Sequence, residues 1–172
     1  MKKQRFYFCP KCGGKLNYRQ VGERERLVCE SCGYTMYENP IVGVAAIIRK
    51  DREILLGRRA ANASFPGLWC IPCGYVEYDE DIRDAVRREF LEETGLIIEP
   101  GKVYTVLSNF HNPSVHTVGV WFEAEIRGGV LQPGDDLDRV AYFPLDRVPE
   151  LAFPTDGQVI AMLQADRTNE GE

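Results

Sequence analysis

Histidine is nearly absent from this 172-residue chain, with two copies, and no apolar run approaches the about 18 residues that a membrane-spanning helix requires. The first shortage confines imidazole chemistry to His111 and His116. The second, with an aromatic opening Arg5-Phe6-Tyr7-Phe8 too short for a secretory h-region, argues against an anchor or leader and leads to the expectation of a cytoplasmic protein. Cysteine is sparse as well, but its six copies are paired: Cys9 with Cys12, Cys29 with Cys32, and Cys70 with Cys73, each as Cys-x-x-Cys. In a reducing compartment that spacing favours metal or redox chemistry over a disulfide framework.

The length suits one domain of ordinary size with a small appendage. The formal net charge of -5 is uneven: residues 1–38 hold eight Lys/Arg against four Asp/Glu, and the remainder 13 against 22. An acidic body that binds polyphosphate needs intervening cations, the first hint of metal dependence.

Cys9-Pro10-Lys11-Cys12-Gly13-Gly14 and Cys29-Glu30-Ser31-Cys32-Gly33, with 16 residues between Cys12 and Cys29, have the spacing of a four-thiolate Zn²⁺ site. Four sulfurs leave no open position, so the ion is expected to be structural, against the alternatives of two disulfides or free thiols. Leu16–Tyr18 and Arg26–Val28 read as short strands around a polar turn at Val21–Glu25, making residues 1–38 a zinc ribbon. Ribbons often bind nucleic acid, but without a dense Arg/Lys cluster the positive balance reads as a solvated face, so RNA binding is not favoured.

From residue 39 to 168 the texture is that of a second domain, with residues 169–172 expected as a disordered tail. Ile41–Ile48 and Glu53–Gly57 are strand-like and joined by the turn Arg49–Arg52, a hairpin signal. Phe65-Pro66-Gly67-Leu68-Trp69 reads as a loop with a buried aromatic anchor. A helix is expected from Asp79 or Glu80 to Thr94, with Gly95 placed to end it. At about 100° per residue and Ile82 at zero, Val86, Phe90 and Ala85 define a buried stripe, and Glu89, Glu93 and Glu92 fall on or beside it, near 340°, 20° and 280°. Like charges at these spacings repel, and the helix C-terminus adds to the repulsion. A hard divalent cation, Mg²⁺ with phosphate co-ligands, would compensate. The alternative is a solvated patch paired with Arg83, Arg87 and Arg88.

Gly74, five residues, Glu80, seven residues, then Arg88-Glu89-Phe90-Leu91-Glu92-Glu93-Thr94-Gly95-Leu96 resembles the Nudix box at every fixed position. The resemblance implies an α/β fold, the Nudix α/β/α sandwich, here with a small N-terminal zinc ribbon. It also implies hydrolysis of a nucleoside diphosphate linked to another moiety. Carried over, the Mg²⁺ or Mn²⁺ ligands are Glu89, Glu92, Glu93 and the Gly74 carbonyl, with Arg88 holding the glutamates, Glu80 in support and Glu89 the candidate general base. Where the family usually has Pro-Gly-Gly, this chain has Pro72-Cys73-Gly74. Cys70 and Cys73 read as small packing residues, with a redox-sensitive pair as the sharper alternative.

Ribbon followed by Nudix domain is similar to two groups, the NADH pyrophosphatases, some of which act on NAD-capped RNA, and smaller enzymes that hydrolyse FAD and ADP-ribose. The first carries a Ser-Gln-Pro-Trp-Pro-Phe-Pro-x-Ser array, whereas Ser108–Ser114 here is shorter and lacks the Trp. The stretch Phe143-Pro144-Leu145-Asp146 to Leu151-Ala152-Phe153-Pro154 is closer to the second group. Val118–Ile126 reads as a strand whose Glu125 is the candidate for a further metal carboxylate, against a solvated edge. Phe110, His111 and Trp121 are candidates to stack on a purine or flavin ring, and Arg58 and Arg59 to meet a phosphate. Asp135, Asp136 and Asp138 read as a polar loop that could hold a general base, and Thr155 to about Gln164 as a C-terminal helix. The expected function is Mg²⁺-dependent cleavage of ADP-ribose or FAD to release AMP. The alternatives are NADH or NAD-cap hydrolysis and, in another class, a non-catalytic nucleotide- or RNA-binding regulator. Homodimers are common for such proteins.

Overall fold

The computed structural model describes residues 4–112 and 115–169, with side chains through residue 166. The chain divides into two compact units, residues 1–39 and 40–172. In the first, β1 (Leu16–Val21), β2 (Arg24–Cys29) and β3 (Thr35–Met36) form an antiparallel sheet. The β1–β2 turn is tighter than expected, because Gly22 takes a left-handed φ of 60° and lets pairing run out to Val21 and Arg24. Cys9, Leu16, Leu27 and Cys29 are the buried centre of this unit, too small a core to stand without a cross-link.

The second unit is built on two sheets. β4 (Ile41–Ile47) pairs in parallel with β10 (Thr117–Gly129) and antiparallel with β8 (Cys73–Tyr75), and β10 pairs with β9 (Leu96–Asn109). The other sheet joins β5 (Arg49–Lys50), β6 (Glu53–Arg59) and β11 (Leu137–Pro144), with β7 (Trp69–Cys70) also on β6. The expected hairpin between the first two strands of this unit is therefore mostly absent. Asp51, at φ 54°, makes the turn, but only Arg49 and Lys50 pair back onto β6 while β4 enters the other sheet. The reason lies in β4, whose alternate residues are apolar on both faces and which is therefore held inside a sheet, between β8 and β10.

Those two faces build the layers. Val44 and Ala46 pack with Val120, Phe122, Leu55 and the stripe Ala85, Val86 and Phe90 of α1 (Ile82–Thr94). Ala45 and Ile47 pack with Ile54, Leu56, Trp121 and with Val159, Ile160 and Leu163 of α2 (Pro154–Asn169). Alternate residues of one strand point to opposite faces, so the helices cover opposite sides, the expected α/β/α sandwich. Helix α1 begins later than expected because Asp81 caps it, accepting from the Arg83 N–H at 2.8 Å and leaving Glu80 outside the helix. Gly95 ends it at φ 69°, its N–H donating to Leu91 O. Helix α2 runs on to Asn169, which was expected in a disordered tail; residues 170–172 lie outside the described residues, as do Pro113 and Ser114 of the Ser108–Ser114 stretch.

Two contrasting substitutions test this packing. Phe90→Ala, in the fully buried stripe, is expected to cost about 3–5 kcal/mol in urea unfolding, whereas Leu91→Ala, on the exposed side of the same helix, should fall within about 1 kcal/mol of the parent.

Candidate active site

The last two turns of α1 lie against the loop that carries β7 into β8. A Cβ at Gly74 would overlap the carboxyl group of Glu89, so any larger residue would push that acid from its place on Arg88. One residue earlier, the Cys73 N–H donates to Glu93 Oε2 at 2.7 Å. Glu93 is 1% exposed and makes no ion pair among the described residues. Its burial pushes the carboxyl well above the ordinary range, and the neighbouring Cys73 and Asp136 add to the effect. Glu89 is raised too, by burial, although Arg88 pulls the other way.

Arg88 organises the remaining acids. Its Nε and Nη2 donate to the two oxygens of Glu80 at 2.8 Å each, Nη1 to Glu89 at 2.7 Å and to Glu92 at 3.2 Å, and Nη2 also to Tyr75 O. Those two bonds to Glu80 hold its carboxyl below the usual range. The arginine thus spends its charge on Glu80, Glu89 and Glu92, and the cation that acts on Glu93 is Arg59, from beyond ion-pair distance and already paired with Asp136. The hard oxygen donors of Glu89 and Glu93 beside the Gly74 backbone suit a divalent cation, which would relieve the buried charge.

The C-terminal carbonyls of α1 need partners, and residues 130–134 supply them. Val130 N–H donates to Gly95 O, Gln132 N–H to Thr94 O and Gly134 N–H to Glu93 O. That strap delivers Asp135 and Asp136 to the site. Asp136 pairs with the buried Arg59 at 2.6 Å.

Gly74, Glu89 and Glu93 line a cleft of about 490 Å³ together with Arg59, His111, Trp121, Asp135 and Asp136. Phe65, His111 and Phe153 form an aromatic group in the same lining, with ring centroids 5.7–6.1 Å apart. Phe65, Phe153 and Asp156 were not foreseen as site residues. They come from separate loops and from the first turn of α2, and nothing in their local sequence ties them to the glutamates.

Other candidates sit elsewhere. Glu92 is half-exposed on Arg88 and is not in the cleft lining. Glu125 is exposed and paired with Arg127 at 2.8 Å. Only the first half of β10 reaches the cleft, and four further residues carry Glu125 roughly 13 Å along the strand, which corrects its reading as a ligand. Arg58 is turned outward onto Asp138 at 2.7 Å, and Phe110 is exposed, its ring on His116. Trp121 is 5% exposed and belongs to the α2-side core as much as to the cleft.

In the ribbon, the four thiol sulfurs of Cys9, Cys12, Cys29 and Cys32 all lie within 4.8 Å of one another, with Cys9–Cys32 at 3.8 Å and Cys12–Cys29 at 3.5 Å. Sulfurs bound tetrahedrally at about 2.3 Å would be about 3.8 Å apart, so the set fits one metal ion. Gly13 and Gly33, at φ 72° and 71°, close the two knuckles by donating to Cys9 O and Cys29 O. The Cys32 and Ser31 amides draw the Cys29 thiol down to about 6, toward the thiolate a metal needs.

Comparison with known proteins agrees with this geometry. The NUDIX domain matches residues 39–163, and the family described as Nudix N-terminal matches residues 7–38. The chain is 40% identical over 121 residues to a Methanocaldococcus jannaschii protein named ADP-ribose pyrophosphatase, covering 70% of this chain and 71% of that one. It is 31% identical over 145 residues to the NAD-capped RNA hydrolase NudC of Stutzerimonas stutzeri, covering 84% of this chain but only 50% of the longer relative. A crystal structure of a NUDIX hydrolase from Nitrosomonas europaea superposes with a TM-score of 0.76 at 30% identity, covering 88% of this chain and 86% of that one. A buried Glu93 and a partly buried Glu89 against a glycine-bearing strand, in the α/β/α fold and within a domain matched along its length, make this chain a member of the Nudix hydrolase family.

Proposed function

We propose that this Nudix hydrolase cleaves the diphosphate bridge of ADP-ribose or FAD and releases AMP, with Mg²⁺ or Mn²⁺ held by Glu89, Glu92, Glu93 and the Gly74 carbonyl, and Zn²⁺ in the ribbon. The observation that carries it is Glu93: a carboxylate this deeply buried, with no ion pair of its own among the described residues and Arg59 acting on it only from beyond ion-pair distance, is costly unless a hard cation joins it. When bound, such an ion supplies neutralisation of the diphosphate and acidification of water.

The chain's own groups do the rest. Arg88 fixes Glu89 and Glu92 on the side of α1 nearest the loop, and the Cys73 N–H fixes Glu93. Glu89 is the proposed general base, since burial moves its affinity for protons toward ambient pH. Phe65, His111 and Phe153 offer faces and edges for a planar base or flavin. Arg59 is largely neutralised by Asp136, so contact with phosphate would require that pair to loosen. The 40% relative named ADP-ribose pyrophosphatase supports this substrate class. NAD-capped RNA is the second reading, supported by the 31% match that includes the ribbon, but this chain spans about half the length of those relatives.

A panel of ADP-ribose, FAD, NADH and NAD-capped RNA, with products identified by mass spectrometry, should show AMP released fastest from one of the first two. Glu92→Gln and Glu93→Gln should each lower kcat by about 100-fold or more; wild-type turnover in both would remove the site assignment.

The raised carboxyl of Glu93 has a thermodynamic signature in metal-free protein. Burial makes the native state hold a proton that the unfolded chain releases above about pH 4.3, so stability falls as pH rises from there toward the native value. Metal-free Glu93→Gln should therefore melt above the parent at neutral pH, with the gap closing below about pH 4. Elemental analysis should find one zinc per chain, lost in Cys29→Ser together with the ordered ribbon.

A further inference from the structure

The route from β7 to β8 is a change of sheets. β7 pairs with β6, β8 with β4, and Ile71 and Pro72 make the crossing. Everything the site asks of this loop comes just after it, at Cys73 N–H and Gly74.

Before the crossing, the segment 150–152 runs alongside β7 like a short parallel strand. Trp69 N–H donates to Glu150 O at 3.0 Å, Ala152 N–H donates to Trp69 O at 2.7 Å, and Trp69 and Leu151 form a parallel bridge. The next rung of a parallel ladder would take the Ile71 N–H to the carbonyl of residue 152. That rung is missing, because the chain turns away at Phe153 and starts α2 at Pro154. The carboxylate of Asp156 stands in its place, accepting the Ile71 N–H on Oδ2 at 2.9 Å.

A carboxylate is a costly choice for the position. Asp156 is 2% exposed, and its burial drives the carboxyl up to about 7 despite the opposing pull of the Ile71 amide. Its Oδ2 accepts the Ile71 N–H whether or not the other oxygen carries a proton, so the side chain holds this backbone in either form. On the far side of the crossing the Ala46 N–H reaches Pro72 O at 3.4 Å, and Glu93 takes the Cys73 N–H. Proline 72 has no N–H, so each donor from 71 to 73 is taken, two of the three residues by carboxylates from opposite helices.

We propose that Asp156 is a positioning residue for the metal loop: by replacing the missing rung at Ile71 it sets the height of Cys73 and Gly74 against Glu89 and Glu93. This rests on the cation site proposed above. It adds that the site is braced from α2, a helix that contributes no ligand.

The test is Mn²⁺ binding to the full chain, freed of metal at the acidic site with its ribbon intact and followed by EPR without substrate. The Ile71 and Cys73 amide resonances are read in parallel. Asp156→Ala should weaken Mn²⁺ by about 10–100-fold and move both amide signals. Asp156→Asn keeps an acceptor oxygen in the same shape, guards against a folding failure, and should give a smaller loss of the same kind. Val159→Ala, buried elsewhere on α2, serves as the packing control, lowering the melting temperature while leaving Mn²⁺ affinity in place. Wild-type Mn²⁺ affinity in Asp156→Ala, with affinity lost in Glu93→Gln, would overturn the positioning role alone. So would an equal loss in Val159→Ala. If the parent binds no Mn²⁺, or Glu93→Gln binds as the parent does, the cation site itself is wrong and this role falls with it.

Discussion

Glu93 meeting the Cys73 amide is the contact on which the rest of the site depends. It fastens the C-terminal part of α1 to a loop that belongs to neither sheet interior, and does so with a carboxylate 1% exposed to solvent. Gly74 is itself set by pairing with Val44 of β4, so the Glu93 bond fixes the helix, and with it Glu89, against that strand. The arrangement costs stability by construction, since desolvation disfavours the charged form that cation binding needs. Stability is recovered in the layers around it, where apolar side chains from both faces of β4 pack against two helices.

Charge in the cleft is partitioned rather than pooled. Arg88 is shared among Glu80, Glu89 and Glu92, and Arg59 is taken by Asp136. Glu93 therefore has no ion pair of its own among the described residues, with other acids around it and Arg59 acting on it only from beyond ion-pair distance. This partition suits the cation site proposed above, in which the protein would supply geometry and leave most of the positive charge to the ligand. The segment that satisfies the α1 carbonyls also brings Asp135 and Asp136 inward, so helix capping and site assembly are one event.

The helical part of the site was legible for a simple reason. On a 3.6-residue repeat, the angular position of Glu93 beside Val86 and Phe90 follows from spacing alone, and its burial confirms that position. The same reasoning put Glu92 at the margin of the stripe, where it is half-exposed. Strand residues were less tractable. Alternation assigned faces along β10 correctly around Trp121 and Phe122, but it carries no information about how far along the strand the cleft extends, and Glu125 lies beyond it. The hairpin reading failed similarly, because a turn signal at Asp51 says nothing about which sheet the strand before it joins.

The sequence by itself determined the four-thiolate ribbon and the run of acids on one helix face, because each is a matter of short-range spacing along one chain segment, while the place of Gly74 beside them came from the resemblance to the Nudix box. Family membership follows from that same local pattern. Tertiary structure alone decided which acid is sealed from water, which arginine is already spent, and that Phe65, His111 and Phe153 share one cleft. It also decided that Asp156, 85 residues from Ile71, fills a gap in a ladder of hydrogen bonds. Those are outcomes of strand order and packing between distant segments, and no periodicity within a segment encodes them.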